Sequence, residues 1–353
     1  MLRSHAVVVQ LKNGELLAAQ YRLAEDDFRH PRLRLLRTRE HLDEVVAPGR
    51  NQLEKIVLLR HWAHRQWESG KRFYYPAWDA VEILDLARNH ANRGFCTQYA
   101  IVFLQACQSL GLHARYVNLP GHFVVEVWSD EHNRWIIMDP MSDIHYERRG
   151  LPMTGRELFD SCRGKRWSGV TVAGADGSRR AALADDLAHY RSYAIDMDAN
   201  QLSNPAKYRH NGEVRMLSRQ EDYRRYPVMG RDTLVFWNRY LVWRSPRDGG
   251  PPLSSAYSSD PDDFRYPENQ TVIVRQPSGG REEQIVIALT AGNSSTFRDF
   301  ETRQDGGAWR TSPARFEWVL RPGLNRLACR IRSSFGWKGP ESRMTVLYWP
   351  SLL

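Results

Sequence analysis

Apolar residues recur at helical spacing between about residues 50 and 110, and in strand-like runs before and after that stretch. Residues 6–22 alternate as a hairpin would, around the turn Lys12-Asn13-Gly14-Glu15, and Asn-Gly is a favoured two-residue hairpin turn. A helix is predicted from Asn51, a suitable cap, with Glu54 in a capping-box position and Leu53, Ile56, Val57 and Trp62 following at helical spacing. A shorter helix runs from Asp79 to Arg88, after Pro76, and leads into the polar loop Asn89 to Arg93. Behind Gly94-Phe95 comes Cys96-Thr-Gln-Tyr-Ala-Ile-Val-Phe-Leu-Gln-Ala-Cys107, apolar on nearly every side and stopped by Gly111. A helix of that kind is central and buried. Strands follow over 112–119, 123–128 and 135–138. The pattern predicts an α+β core, a central helix packed on an antiparallel sheet.

Beyond about residue 160 the signal thins. Gly169 to Arg180 reads as a loop and Ala181 to Tyr193 as helical. After Arg231 the pattern is all-β, with Thr233 to Trp237, Thr271 to Arg275, Gln284 to Leu289, Arg315 to Leu320 and Met344 to Trp349 separated by Gly, Pro, Asn and Asp. From Asn325 to Arg332 the alternation is strict: Leu327, Cys329 and Ile331 inward, Arg326, Arg330 and Arg332 outward. Such spacing predicts an immunoglobulin-like sandwich. The expected division is an N-terminal hairpin extension over 1–50, a catalytic core over 51–165, a linker with a short helical segment over 166–230 and the sandwich over 231–353.

Composition narrows the class. Apolar residues make up 42% of 353, with 12 tryptophans, enough to fill real cores and exclude global disorder. Four cysteines without a Cys-x-x-Cys are too few for a disulfide framework and ill-spaced for structural zinc. Cys107, Cys162 and Cys329 read as small buried residues. His61 and His64 lie three apart on a predicted helix, but no third ligand is near, so they read as a packed or solvated pair. The net charge of +9 gives a basic surface, dense at Arg29, Arg32, Arg34, Arg37 and Arg39. It reads either as a solvated face or as attraction for an acidic polymer; no nucleic-acid motif accompanies it. No apolar run approaches the roughly 20 residues of a membrane span. Ala6 to Val9 is short for a signal h-region, so the protein is expected to be cytoplasmic, or extracytoplasmic if a leader has been removed.

The candidate chemistry rests on three residues. Cys96 opens the buried helix, where partial positive charge favours a thiolate and free N–H groups can receive an oxyanion. His122 and Asp139 sit on successive strands. A hairpin placing them face to face is centred at 130.5, and the polar turn Ser129-Asp-Glu-His-Asn133 is centred at 131. Opposed side chains there would let the carboxylate hold the imidazole. The roles follow: Cys96 as nucleophile, His122 as base and then acid, Asp139 as orienter of the ring.

The run Gly94-Phe-Cys-Thr-Gln-Tyr-Ala100, with Cys107-Gln-Ser-Leu-Gly-Leu-His-Ala-Arg-Tyr-Val117, Gly121-His122 and Trp135 to Asp139-Pro140, resembles the transglutaminase-like superfamily. The resemblance covers about residues 50–165 and implies a papain-like fold with Cys96, His122 and Asp139 as its triad. The C-terminal stretch resembles the immunoglobulin- or fibronectin-like module of some bacterial members. Where many members have an aromatic two positions after the histidine, this chain has His122-Phe123-Val124, and the oxyanion-stabilising residue of some relatives has no clear counterpart. Trp78, Asn89 and Asn92 upstream, with Phe95 and Phe123 beside the triad, are the candidate substrate-binding residues. The function implied is cysteine-dependent acyl transfer on a peptide- or carbohydrate-linked polymer, acidic in one version, by hydrolysis or by transfer to an amine. No EF-hand or acidic calcium cluster is seen, and no cofactor or metal is expected. The rival readings are a non-catalytic or redirected relative acting on an acidic polysaccharide, and a nucleic-acid binder using the Arg-rich N-terminus. Neither a specific nucleic acid nor a membrane is an expected partner, and the sequence specifies no oligomeric state.

Overall fold

In the computed structural model of the protein, the residues described are 5–13, 28–70, 79–89, 94–196, 207–210, 213–216, 240–243, 256–259, 264, 269–276, 283–292, 294, 297–334 and 336–350. The chain divides into two units, residues 19–265 and residues 1–18 together with 266–353.

In the first unit, helices α1 (Pro31–Arg39), α3 (Gln52–His64) and α4 (Ala80–Asn89) pack on α5 (Cys96–Ser109), while α2 (Leu42–Val46) packs on α3. Every residue of α5 is buried, as its all-round apolarity requires. The Asn51 side chain caps α3 by accepting from the Glu54 N–H at 2.9 Å, but the Glu54 carboxylate reaches Arg50 instead of closing a capping box. At the far end of α5, Gly111 takes φ +77°. Its N–H donates to the Gln108 carbonyl and that of Leu112 to the Cys107 carbonyl, a left-handed stop that suits glycine.

Helix α5 lies against strands β2 (Ala114–Leu119) and β3 (His122–Ser129), joined to β4 (Arg134–Asp139), β5 (Ile144–Arg148), β7 (Val170–Gly174) and β8 (Arg179–Ala181), with the short β6 (Leu151–Pro152) on β5. Beyond β2 the same sheet adds β9 (Ala194–Asp196), β12 (Tyr240–Trp243) and β13 (Ala256–Ser258). Strands β10 (Lys207–His210) and β11 (Glu213–Met216) form a separate hairpin, and helix α6 (Gly155–Arg163) follows β6.

Several expectations change here. The segment predicted as a loop contains β7, because Val170 and Val172 alternate into the core and Gly177 at φ +81° turns the chain into β8. The predicted helix over 181–193 is reduced to one four-residue turn, Ala184–Leu187, and a 3-10 turn, Ala188–Arg191. The sheet of the first unit therefore continues past 165, and past 231 as far as β13, so the sandwich starts later than expected. Thr233 to Trp237 lies outside the described residues.

The second unit is two antiparallel sheets, β14 (Gln270–Gln276), β15 (Gln284–Gly292) and β18 (Arg315–Val319) in one, and β16 (Phe297–Gln304), β17 (Arg310–Ser312), β19 (Gly323–Ser333) and β20 (Ser342–Trp349) in the other. Ile273, Ile285, Ile287, Leu289 and Trp318 meet Phe300, Leu327, Cys329, Ile331, Met344 and Val346 in one core. The alternation in β19 largely follows the prediction: Leu327, Cys329 and Ile331 are buried and Arg326, Arg330 and Arg332 lie on the other face, but Ala328 between Leu327 and Cys329 is buried as well. Strand β1 (His5–Lys12) pairs antiparallel with β20 and completes this second sheet. It had been expected in an N-terminal hairpin; the return strand of that hairpin lies outside the described residues.

Candidate functional site

Cys96 is the first residue of α5 and is 9% exposed. Gly94 precedes it because nothing larger fits: a Cβ there would stand 2.6 Å from the Gln98 Cβ. Gln98 Oε1 in turn accepts the Phe95 N–H at 3.0 Å, fixing the entry to the helix.

His122 opens β3 and Asp139 closes β4. The imidazole Nε2–H donates to Asp139 Oδ2 at 2.8 Å. The two are not directly opposed, however. Strands β3 and β4 pair as Val125 with Met138, Trp128 with Trp135 and Ser129 with Arg134 around the turn 130–133. Continued by one step, that register sets Asp139 across from Val124, and His122 is its diagonal neighbour on the same face. A diagonal pair is about 7–8 Å apart at the backbone, within reach of two long polar side chains. The hairpin is centred at 131.5, one residue beyond the centre that direct opposition requires, with Asn133 in the turn left-handed at φ +49°.

The second Asp139 oxygen accepts the N–H groups of Met141 and Ser142, both at 3.0 Å. Burial pushes the Asp139 carboxyl up, but the His122 bond and charge and the Ser142 bonds hold it below its ordinary value on balance. Burial likewise pushes His122 down, yet hydrogen bonds to Asp139 and Cys96, and the charges of both, raise it to about 10. The protonated imidazole is therefore favoured, with Nε2 held by the carboxylate.

The sign of the linkage follows. A raised His122 stabilises the fold fully below the ordinary imidazole value of 6.5, and that contribution is lost as pH rises through about 10. The lowered Asp139 contributes above the ordinary carboxyl value of 3.8 and is lost as pH falls through its depressed value. Unfolding measured against pH should show the alkaline loss moving toward neutrality in Asp139→Asn. An unchanged alkaline limb would mean that the carboxylate does not hold the ring.

Of the other candidates, Phe95 is the half-buried cap of α5, and Asn89 is exposed at the end of α4. Phe123, next to His122 in the strand, points to the opposite face, where it stacks on Tyr116 at 5.2 Å. It packs against β2 and does not line the ring of His122. Trp78 and Asn92 lie outside the described residues. The sequence did not point to His189. Its ring lies 5.1 Å from that of His122, and its Nδ1–H donates to the Pro120 carbonyl at 2.9 Å. No spacing signal links a residue on a 3-10 turn to a strand so far upstream.

A buried helix bearing a cysteine at its N-terminus, on an antiparallel sheet bearing a linked histidine and aspartate, defines a papain-like α+β protein. Residues 39–140 match the family model of the transglutaminase-like superfamily, and this part of the chain is a domain of that superfamily. Its members are generally cysteine-dependent acyltransferases or protease-like enzymes. Among solved structures, the transglutaminase of red sea bream is similar at 10% identity, covering 83% of this chain and 68% of that one with a TM-score of 0.22. Comparison with curated proteins finds no match.

Proposed function

We propose that the protein is a cysteine-dependent acyl-transfer enzyme that opens amide bonds through Cys96, His122 and Asp139, with water as the acceptor. The observation that carries this reading is the His122 imidazole held between the Asp139 carboxylate at 2.8 Å and the thiol at the start of α5. In this mechanism the Cys96 thiolate attacks the carbonyl carbon. The N–H groups of the first turn of α5 receive the oxyanion. Imidazolium Nδ1–H gives its proton to the departing amine, leaving a thioester. Water then attacks the thioester carbonyl and loses a proton to His122, and the thiolate leaves with the carboxylic acid as product. Hydrolysis is preferred over cross-linking because water suffices as second substrate. The substrate proposed is a peptide- or carbohydrate-linked polymer, and the charge of +9 favours an acidic one.

Iodoacetamide tests the nucleophile directly. At neutral pH it should modify Cys96 first. Cys107 and Cys329 should stay unlabelled until unfolding, because burial raises both thiols, that of Cys329 to about 12. Cys162 is raised by burial too and should lag. Wild type and Cys96→Ala would then be compared on peptide, peptidoglycan and acidic-polysaccharide panels. Equal labelling of all four cysteines only on denaturation would sink the proposal in favour of a scaffold or binding role.

A further inference from the structure

Helix α3 grips both arms of the candidate site. Three side chains in its C-terminal half reach the loop that follows Asp139. Arg60 Nε donates to Asp143 Oδ1 at 2.9 Å, His61 Nδ1–H to Asp143 Oδ2 at 2.7 Å, and His64 Nδ1–H to the Met141 carbonyl at 3.0 Å. This is the same loop whose Met141 and Ser142 N–H groups hold Asp139. Asp143 stands in the left-handed region at φ +55°, a conformation that a non-glycine residue keeps only when its surroundings hold it. Arg60 is fully buried, and its Nη1 donates to His145 Nδ1 at 2.8 Å. A guanidinium so deep is tolerable only while its partners stay in place. Past the end of the helix, Trp67 Nε1–H donates to the Gly94 carbonyl at 3.2 Å and the Gly70 N–H to the same oxygen at 3.3 Å. Tyr99 of α5 closes the link through its hydroxyl to the Trp67 carbonyl at 2.6 Å and a ring stack at 4.4 Å.

We infer that α3 is a strut setting the nucleophile and carboxylate arms relative to each other, with His61 and Trp67 as positioning residues, one for each arm. The inference rests on the triad proposed above. It gives His61 and His64, expected as a packed or solvated pair, a shared role: both are bound to the Asp139 loop.

The test is the rate of iodoacetamide alkylation of Cys96 from pH 5 to 10, with the His122 ring titrated by NMR. His122 faces Asp139, Cys96 and the His189 ring, so all three are kept intact in the strut variants. His61→Phe should slow alkylation at pH 7 about tenfold and lower the His122 titration, the scale of one charge-assisted hydrogen bond. His61→Asn, which places an N–H donor near Nδ1, should restore the rate to within about twofold of wild type. Trp67→Phe keeps the stack on Tyr99 and loses the Gly94 bond, and should slow the reaction about threefold. Folding of each variant is checked by its melting curve. If Asp139→Asn alters the profile but His61→Phe and Trp67→Phe leave it unchanged, the strut is wrong and the triad stands. If Asp139→Asn leaves it unchanged as well, the triad fails and takes the strut with it.

Discussion

Replacing His122 with alanine is expected to lower turnover, once a substrate is in hand, by about three orders of magnitude or more. The reason is the ring's double engagement. The Asp139 bond at 2.8 Å favours the protonated ring; in the mechanism proposed above, that cation both favours the thiolate and supplies the proton for the leaving amine. Without it, Cys96 keeps only the helix N-terminus. Alkylation of Cys96 near pH 7 should therefore collapse, and the melting temperature should fall as well, because buried Asp139 loses its partner. Cys96→Ala should be equally inactive, and the double variant no worse than either single one, because groups that act as a unit are not additive. A His122→Ala enzyme retaining more than about a tenth of wild-type turnover would remove the imidazole from the mechanism.

The largest expected effect on stability is away from the triad. Arg115 and Glu126, 1% and 0% exposed, face each other across β2 and β3, with Nε to Oε2 at 2.8 Å and the guanidinium 4.0 Å over the Trp135 ring. Glu126 also accepts the Tyr193 hydroxyl at 2.7 Å and the Gly155 N–H at 2.8 Å, so one carboxylate on β3 holds β2, the segment before β9 and the start of α6. Glu126→Ala strands a buried guanidinium and should cost about 3–5 kcal/mol, lowering the melting temperature by roughly 10 °C or more. Replacing both partners with apolar residues of similar volume, Arg115→Met with Glu126→Leu, should cost much less, since no charge is left uncompensated. A single variant that melts within about 2 °C of wild type would show the pair to be dispensable.

How much of this was legible beforehand depended on the range of the interaction. Local rules served well. The all-apolar run after Phe95 is the fully buried α5, Gly111 is its left-handed stop, Asn51 caps α3, and the strict alternation of Leu327, Cys329 and Ile331 marks one inner face of the sandwich. The three polar residues of the site were legible because each sits at the end of an element, where a helix start or strand end can be read locally. Their register was not. The diagonal relation of His122 to Asp139 depends on a hairpin centred one residue later than direct opposition requires, and composition alone does not fix where a polar turn is centred. Non-local relations left no trace at all. Nothing near His61 announces Asp143, and nothing near His122 announces His189. The motif residue Arg115, quoted for the resemblance, is bound to Glu126 and Tyr193, so its part in the pattern is to hold the sheet and α6 together.

The pairing of β1 with β20 sets an order of events during synthesis. His5 meets Trp349 and Lys12 meets Arg343, so β1 must wait for the much later β20 before their sheet can close. Along the sequence, the unit of residues 19–265 separates β1 from the other strands of its sheet, and that unit can fold while the ribosome is still working. Ring closure over so long a stretch is slow, although its entropic cost rises only with the logarithm of length. Until β1 arrives, β20 presents an open row of N–H and C=O groups. Clipping residues 5–12 should leave that edge permanently unsatisfied and drive self-association strand to strand.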